Sequence, residues 1–135
     1  MIAFDTNVLL YACDRADPRR QAIALDLIAN SRDGVLLWQV ACEFVAASRK
    51  LSPQGFSASD AWNRLAEFLN LFPLVLPTSS ILARGKEFHV TRSVSFWDAL
   101  ILSACVEAGV TILYSEDVPG HSLPGKLQVI NPFIR

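Results

Sequence analysis

Short apolar runs alternate along the chain with longer segments whose apolar positions recur at helical spacing. The apolar runs predict five short strands, at residues 1–5, 35–38, 72–76, 111–115 and 127–130. The periodic segments predict helices over the stretch VLLYAC and over 17–31, 39–50, 57–71, 78–88 and 96–108. Strands that alternate with helices indicate an α/β fold, with a parallel sheet of about five strands flanked by helices on both faces.

Several helix starts carry local capping signals. Asp17 followed by Pro18 predicts an N-cap and a first helical position. Ser57 and Asp60 have the spacing of a capping box. Asn7 is placed to cap the helix that follows the first strand. These signals support the predicted order of elements.

Four carboxylates interrupt the most apolar segments of a chain in which only 19% of residues are charged. Asp5, Glu43, Asp98 and Asp117 lie in IAFDTNVLLY, VACEFVAA, SFWDALIL and TILYSED. Losing the hydration of an ionised carboxylate costs several kcal/mol or more, so such groups need a partner. Asp5 and Asp117 fall just after the last apolar residues of two predicted strands, while Glu43 and Asp98 lie near the starts of predicted helices. We therefore expect all four to converge at the carboxyl ends of the strands.

A converging set of carboxylates suits a hard divalent cation, Mg²⁺ or Mn²⁺, with water in the remaining coordination positions. Such ions can activate a water molecule and stabilise the charge of a phosphodiester under in-line attack. The acids would titrate as one coupled group. Without a metal their mutual repulsion should destabilise the site, and metal binding should raise the stability of the folded state.

Composition and charge limit the other possibilities. The 135 residues are 52% apolar, which predicts one compact domain over residues 1–135. The net charge is −1, so attraction for phosphates must come from bound metal or from local clusters of cations. Candidate cations for RNA contact are Arg15, Arg49, Lys50 and Arg92. The sequence shows no signal peptide, zinc-like cysteine spacing or membrane span, so we expect a cytoplasmic protein with reduced thiols.

Each acid also has a purely structural alternative. Asp98 could form a capping box with Ser95. Asp5 could simply end a strand and favour the next helix. Glu43 could pair with a buried arginine, and Asp117 could stabilise a turn. These alternatives are open for each acid taken alone.

Other residues with possible chemistry favour structural roles. Trp38, Trp62 and Trp97 lie in apolar or amphipathic segments and are expected in the core rather than as platforms for base stacking. Cys42 is likewise expected in the core. His121 lies in a Gly/Pro-rich loop and is expected at the surface.

Taken together, the segments FDTNVLLY, CEF, SFWDALI and YSED resemble the four motifs of PIN-domain ribonucleases, and most closely those of VapC-type toxins of bacterial toxin–antitoxin pairs. The resemblance spans essentially the whole chain. It implies that Asp5, Glu43, Asp98 and Asp117 bind metal, that Ser115 is the small polar residue before the last acid, and that Asn7 supports the site. It further implies RNA hydrolysis with Mg²⁺ or Mn²⁺, inhibition by a cognate antitoxin, and a homodimer.

Three other classes of protein are alternatives to this interpretation. A PIN-like scaffold with weak or no catalysis would act through protein–protein contacts on its apolar helices. Retention of all four acids argues against that role. A phosphatase of the haloacid dehalogenase type would carry a second aspartate where the chain has Asn7, and a receiver domain would have an acidic pair near the first strand.

Overall fold

The first strand of the chain occupies the centre of a five-stranded parallel sheet. The computed structural model describes residues 1–118 and 125–134. The strands are β1 (Ile2–Phe4), β2 (Gly34–Leu37), β3 (Leu74–Val75), β4 (Ile112–Tyr114) and β5 (Gln128–Ile130). They are ordered β3-β2-β1-β4-β5, and every neighbouring pair is parallel. The predicted α/β class and parallel sheet are confirmed.

The helices of the described chain form two packed groups. They are α1 (Thr6–Ala12), α2 (Pro18–Asn30), α3 (Trp38–Ala47), α4 (Ala58–Leu71), α5 (Ser79–Thr91) and α6 (Phe96–Ala108). A 3₁₀ helix, Ser48–Gln54, follows α3. Helices α1 to α4 contact one another in sequence-adjacent or next-nearest pairs, and α5 packs along α6. Since parallel strands are apolar on both faces, the sheet needs helices on each of them.

The central strands are buried because their side chains are apolar on both faces. Ala3 and Phe4 of β1 and Leu36 and Leu37 of β2 are at most 1% exposed. Gly34 lets β2 pass close to the ring of Phe72, since a Cβ at this position would lie 2.6 Å from the ring. The core therefore depends on close packing at the beginning of β2.

Two predicted caps are confirmed and one is wrong. Asp17 caps α2, with Pro18 in its first turn, and Ser57 with Asp60 forms a complete capping box on α4. Helix α1, however, begins at Thr6, and its N-cap is Asp5 rather than Asn7. Asp5 has an extended backbone and its carboxylate accepts from the Thr6 amide, so the helix begins before Asn7 is reached.

Element lengths differ from the predictions where proline or a 3₁₀ turn intervenes. Strand β3 has only two residues because prolines at 73 and 77 limit its ladder. The helix predicted over 39–50 begins one residue earlier, at Trp38, and gives way to the 3₁₀ helix after Ala47. These shifts leave all four acids on the predicted elements or directly after them.

The predictions for the tryptophans and for Cys42 are wrong. Trp38, Trp62 and Trp97 are 46%, 61% and 62% exposed, and Cys42 is exposed as well. Helices α3 and α6 are apolar almost all round, so their sequences do not indicate which face meets water. His121 lies outside the described residues. Among the described helices, none has the length and apolar character needed to cross a membrane.

The order of the strands creates a switch point beside β1. The chain proceeds from β1 outward to β2 and β3, and then returns to place β4 on the opposite side of β1. The crevice beyond the carboxyl ends of two such strands is the usual ligand site in open α/β sheets. Asp5 follows β1 and Ser115 follows β4, so both residues stand at this crevice.

Candidate metal centre

Asp5 is the most buried of the four acids, with 7% of its surface exposed. One carboxylate oxygen accepts from the backbone amide of Thr6 at 2.7 Å, and the other accepts from the hydroxyl of Ser115 at 2.7 Å. Burial raises the pKa of Asp5 above its usual value, these two hydrogen bonds oppose the rise, and repulsion by Asp98 and Asp117 adds to it. Asp5 therefore also has the structural role considered for it, because it ends β1 and caps α1. Each oxygen still has a lone pair for a further ligand.

Ser115 fixes the chain segment that carries the last acid. Its hydroxyl donates to Asp5 and accepts from the backbone amides of Asp117 and Val118, at 3.3 and 3.0 Å. The side chain of Ser115 is only 1% exposed. One buried hydroxyl therefore joins the end of β1 to the turn after β4.

Asn7 connects α1 to the last acid. Its side-chain amide donates to the carboxylate of Asp117, which is exposed. Asn7 lies in the first turn of α1, two residues after Asp5. The pair holds Asp117 towards the carboxyl end of β1.

Glu43 lies on α3, one turn after Gln39. The Gln39 amide donates to the Glu43 carboxylate at 2.8 Å and to the backbone carbonyl of Trp97 at 3.1 Å. Burial raises the pKa of Glu43, the Gln39 hydrogen bond lowers it, and Asp5 and Asp98 raise it again. In the described part of the chain no arginine pairs with Glu43, so that alternative is wrong.

Asp98 is half-buried in the first turn of α6. Ser95 occupies the N-cap position, but its side chain makes no capping hydrogen bond, so the alternative of a capping box is wrong. The carboxylate of Asp98 is close enough to Asp5 and Glu43 to raise the pKa of both. Asp98 therefore faces the same crevice as the other acids.

The four acids thus interact through charge but do not form a tight cluster. Each of Glu43, Asp98 and Asp117 has an electrostatic interaction with Asp5. Over residues 1–118 and 125–134, no three acidic, histidine or cysteine side chains are gathered at metal-binding spacing. Within the same ranges no ion pair neutralises any of the four. A concentration of oxygen donors whose negative charge lacks a cationic partner fits a divalent cation.

A group of residues behind the site holds the Ser115–Asp117 segment from its other side. The side chain of Glu116 accepts from the Tyr11 hydroxyl at 2.7 Å and from Arg20 at 2.9 Å. The guanidinium of Arg20 also lies over the rings of Tyr11 and Phe133. Glu116 therefore anchors α1 and α2 to the chain directly beside Asp117.

The sequence of the chain agrees with this geometry. The sequence model of the PIN domain matches residues 2–118, a range that contains all four acids. The chain belongs to the PIN domain family. No curated protein matches it.

Solved structures match this PIN domain as well. One is Mycobacterium tuberculosis VapC20, described as a Sarcin-Ricin loop cleaving toxin. The match has a TM-score of 0.68 and 20% sequence identity, and covers 87% of this chain and 90% of that chain. At this identity the match supports the fold.

Three of the four candidate RNA-contact residues of the PIN domain, Arg15, Arg49 and Lys50, lie on or beside the 3₁₀ helix. Lys50 lines a cavity of about 270 Å³ together with Asn7, and is thus the candidate that shares a cavity with a site residue. Arg15 donates to the Gln54 carbonyl at 2.7 Å, and Arg49 is exposed on the 3₁₀ helix. Arg92 ends α5, with its guanidinium over the ring of Phe88.

Sequence analysis missed three residues that position the acids of the PIN domain. Gln39 had a usable signal, because it precedes Glu43 by four residues and such pairs meet on a helix surface. Tyr11 and Arg20 had no signal in the sequence, because their partner Glu116 is about a hundred residues away along the chain.

Proposed function

We propose that this PIN domain is an endoribonuclease that depends on Mg²⁺ or Mn²⁺ and hydrolyses RNA phosphodiester bonds. The observation that carries the proposal is the burial of Asp5 at the switch point, repelled by two other acids and paired with no described cation. A buried carboxylate in that setting is costly unless a cation joins it. Membership of the PIN family supports the same chemistry.

In this proposal Asp5, Glu43, Asp98 and Asp117 are the catalytic acids and hold the metal. Bound at this site, Mg²⁺ or Mn²⁺ would supply charge stabilisation and water activation for phosphodiester hydrolysis. Asn7 and Ser115 orient Asp117 and Asp5 through their hydrogen bonds. In this proposal the RNA backbone is contacted by Lys50, Arg15, Arg49 and Arg92.

Cleavage of total RNA with Mg²⁺, with Mn²⁺ and with EDTA tests this proposal. We expect cleavage with either metal, none with EDTA, and none by Asp5→Asn or Asp98→Asn. Asparagine is as good an N-cap as aspartate, so Asp5→Asn should keep α1 intact and isolate the loss of charge. Wild-type activity in both variants would show that these acids are not catalytic.

We further propose that the protein is the toxin of a type II toxin–antitoxin pair, acting in the cytoplasm as a homodimer. The support is its structural similarity to VapC20, together with the motifs shared with VapC-type toxins. The cognate antitoxin would then be a protein partner that blocks cleavage. Expression of the chain alone should arrest growth, whereas expression of the Asp98→Asn variant should not. Growth arrest by both proteins would show that toxicity does not depend on this acid.

A second candidate function is a PIN-like scaffold that is catalytically weak or inactive and acts through protein–protein contacts. The observation that favours it is the lack of a tight acid cluster in the described ranges. Titration calorimetry distinguishes the two functions. A nuclease should bind Mn²⁺ with an affinity that falls in Asp5→Asn, while a scaffold should show no binding in either protein.

A further inference from the structure

An apolar cavity adjoins the acid site on the side of α6. It has a volume of about 410 Å³ and lies between the start of α3, the end of β3, and helices α5 and α6. Its lining includes Trp38, Trp97 and Leu82, with the amide of Gln39 and the hydroxyls of Thr78 and Ser79 at the polar positions. This is the size and composition of a small-ligand site, apolar with few polar groups.

Two indole rings line this cavity while remaining open to water. Trp97 is 62% exposed and Trp38 46%. The ring of Phe96 contacts Trp97 edge-to-face at 4.9 Å between centroids, so Trp97 is supported on one side. A large exposed ring supported by a neighbouring side chain offers a flat surface without the ordering cost of a mobile one.

The cavity shares one residue with the acid site, because Gln39 lines the cavity and also bonds Glu43. Trp97 directly precedes Asp98, and Trp38 directly precedes Gln39. The Gln39 amide bonds both to Glu43 and to the Trp97 carbonyl, so it links an acid to the backbone of the cavity wall. A group bound in the cavity would therefore lie beside whatever the acids hold.

We infer that this cavity binds a nucleobase of the RNA next to the scissile phosphate, stacked on Trp97 and flanked by Trp38. This inference rests on the proposed function and names the contact that selects the substrate. A chain of net charge −1 with four acids at its site gains little from the RNA backbone alone. Base stacking supplies affinity without positive charge. The link through Gln39 to Glu43 favours a base over a second protein chain as the occupant.

The test compares two labelled hexanucleotides, one of adenylate and one of abasic ribose phosphate, by fluorescence anisotropy in EDTA. Since no metal is present, binding is measured without cleavage. We expect the wild type to bind the adenylate hexamer about tenfold or more tightly than the abasic one, as one base–aromatic stack provides. Trp97→Ala should remove most of that difference and leave abasic binding unchanged, while Trp97→Phe should keep most of it.

Trp62→Ala is the matched control, because Trp62 is 61% exposed and does not line this cavity. It should bind both hexamers as the wild type does. Trp38→Ala should weaken adenylate binding as well, and it serves as the test if Trp97→Ala does not fold.

Three results would overturn the inference. These are equal binding of the two hexamers by the wild type, equal loss of both in the cavity variants, and conversion of a dimer to a monomer by Trp97→Ala in light scattering. The last result would assign the cavity to a second copy of the chain. Base-dependent binding without any metal-dependent cleavage would refute the proposed function alone, and cleavage without base preference would refute this inference alone.

Discussion

Replacement of Ser115 by alanine tests whether one hydroxyl organises the acid site. The substitution removes the 2.7 Å hydrogen bond to the Asp5 carboxylate. It also leaves the amides of Asp117 and Val118 without their side-chain acceptor. Asp5 and Ser115 are both buried, so the groups left behind cannot recover full hydration.

The expected cost follows from the kinds of bond that are lost. A hydrogen bond to a charged group contributes about 1.5–3 kcal/mol, and a buried donor without a partner adds to the penalty. We expect Ser115→Ala to lower the free energy of unfolding by about 2–4 kcal/mol. The outer contacts of metal sites typically contribute about 10- to 100-fold to affinity or activity, so RNA cleavage should fall by that factor.

Ser103→Ala provides a matched control. Ser103 is a fully buried serine on α6 whose hydroxyl donates to the Ile81 carbonyl, an uncharged acceptor. Its loss should cost about 1 kcal/mol and leave cleavage unchanged. The two costs differ by about 1–3 kcal/mol. At roughly 3–6 °C per kcal/mol for a chain of this size, the melting temperature of Ser115→Ala should be lower than that of Ser103→Ala by roughly 3–18 °C.

Urea unfolding in EDTA and cleavage with Mn²⁺ are the two assays. Similar losses of stability in Ser115→Ala and Ser103→Ala, with cleavage at the wild-type rate by both, would refute this role of the Ser115 hydroxyl. In that case the Ser115 hydroxyl would be an ordinary buried hydrogen bond. If Ser115→Ala lost cleavage but only as much stability as Ser103→Ala, Ser115 would still belong to the site. Its hydrogen bond would then not be stabilising the buried charge of Asp5.

Three further predictions address the metal, the group behind the site and the core. Mn²⁺ should raise the melting temperature of the wild type but not that of Asp5→Asn. In EDTA, Asp5→Asn should be at least as stable as the wild type. An equal rise in melting temperature with Mn²⁺ in both proteins would contradict this prediction. Tyr11→Phe should cost about 1 kcal/mol in urea unfolding. Burial, together with the hydrogen bond to Glu116, raises the pKa of Tyr11 to about 12. The hydroxyl proton is therefore lost more easily from the unfolded chain, so this cost should persist to about pH 10 and vanish by about pH 12. Gly34→Ala should cost about 1–3 kcal/mol through overpacking against Phe72, and Phe72→Leu should restore part of it; a neutral Gly34→Ala would refute the contact.

The positions of the acids were predictable because element order and strand ends are local properties of the sequence. Asp5 and Asp117 follow apolar runs, and parallel strands bring such ends to one edge of the sheet. Glu43 and Asp98 lie near helix starts, which α/β connections place at that same edge. The family motifs then fix the identity of the fold, and the matched range 2–118 agrees.

What could not be predicted depends on which face of an apolar helix meets water. In α6 the polar positions are too few to define a face, so the exposure of Trp97 is decided by the packing of α5. Trp38 is the first residue of α3, directly after the buried strand β2, and its sequence likewise does not indicate that it is exposed. Aromatic side chains in apolar segments are usually buried, and these two depart from that tendency beside the site.

The hydrogen-bond partners of the acids fit the proposed metal site. Asp5 is held by a hydroxyl and a backbone amide, Glu43 by the amide of Gln39, and Asp117 by the amide of Asn7. All of these donors are neutral, so they fix the carboxylates without cancelling their charge. A lysine or arginine in any of these places would satisfy an acid and compete with a metal. Neutral donors instead leave the repulsion among the acids as a free energy that a bound cation would relieve.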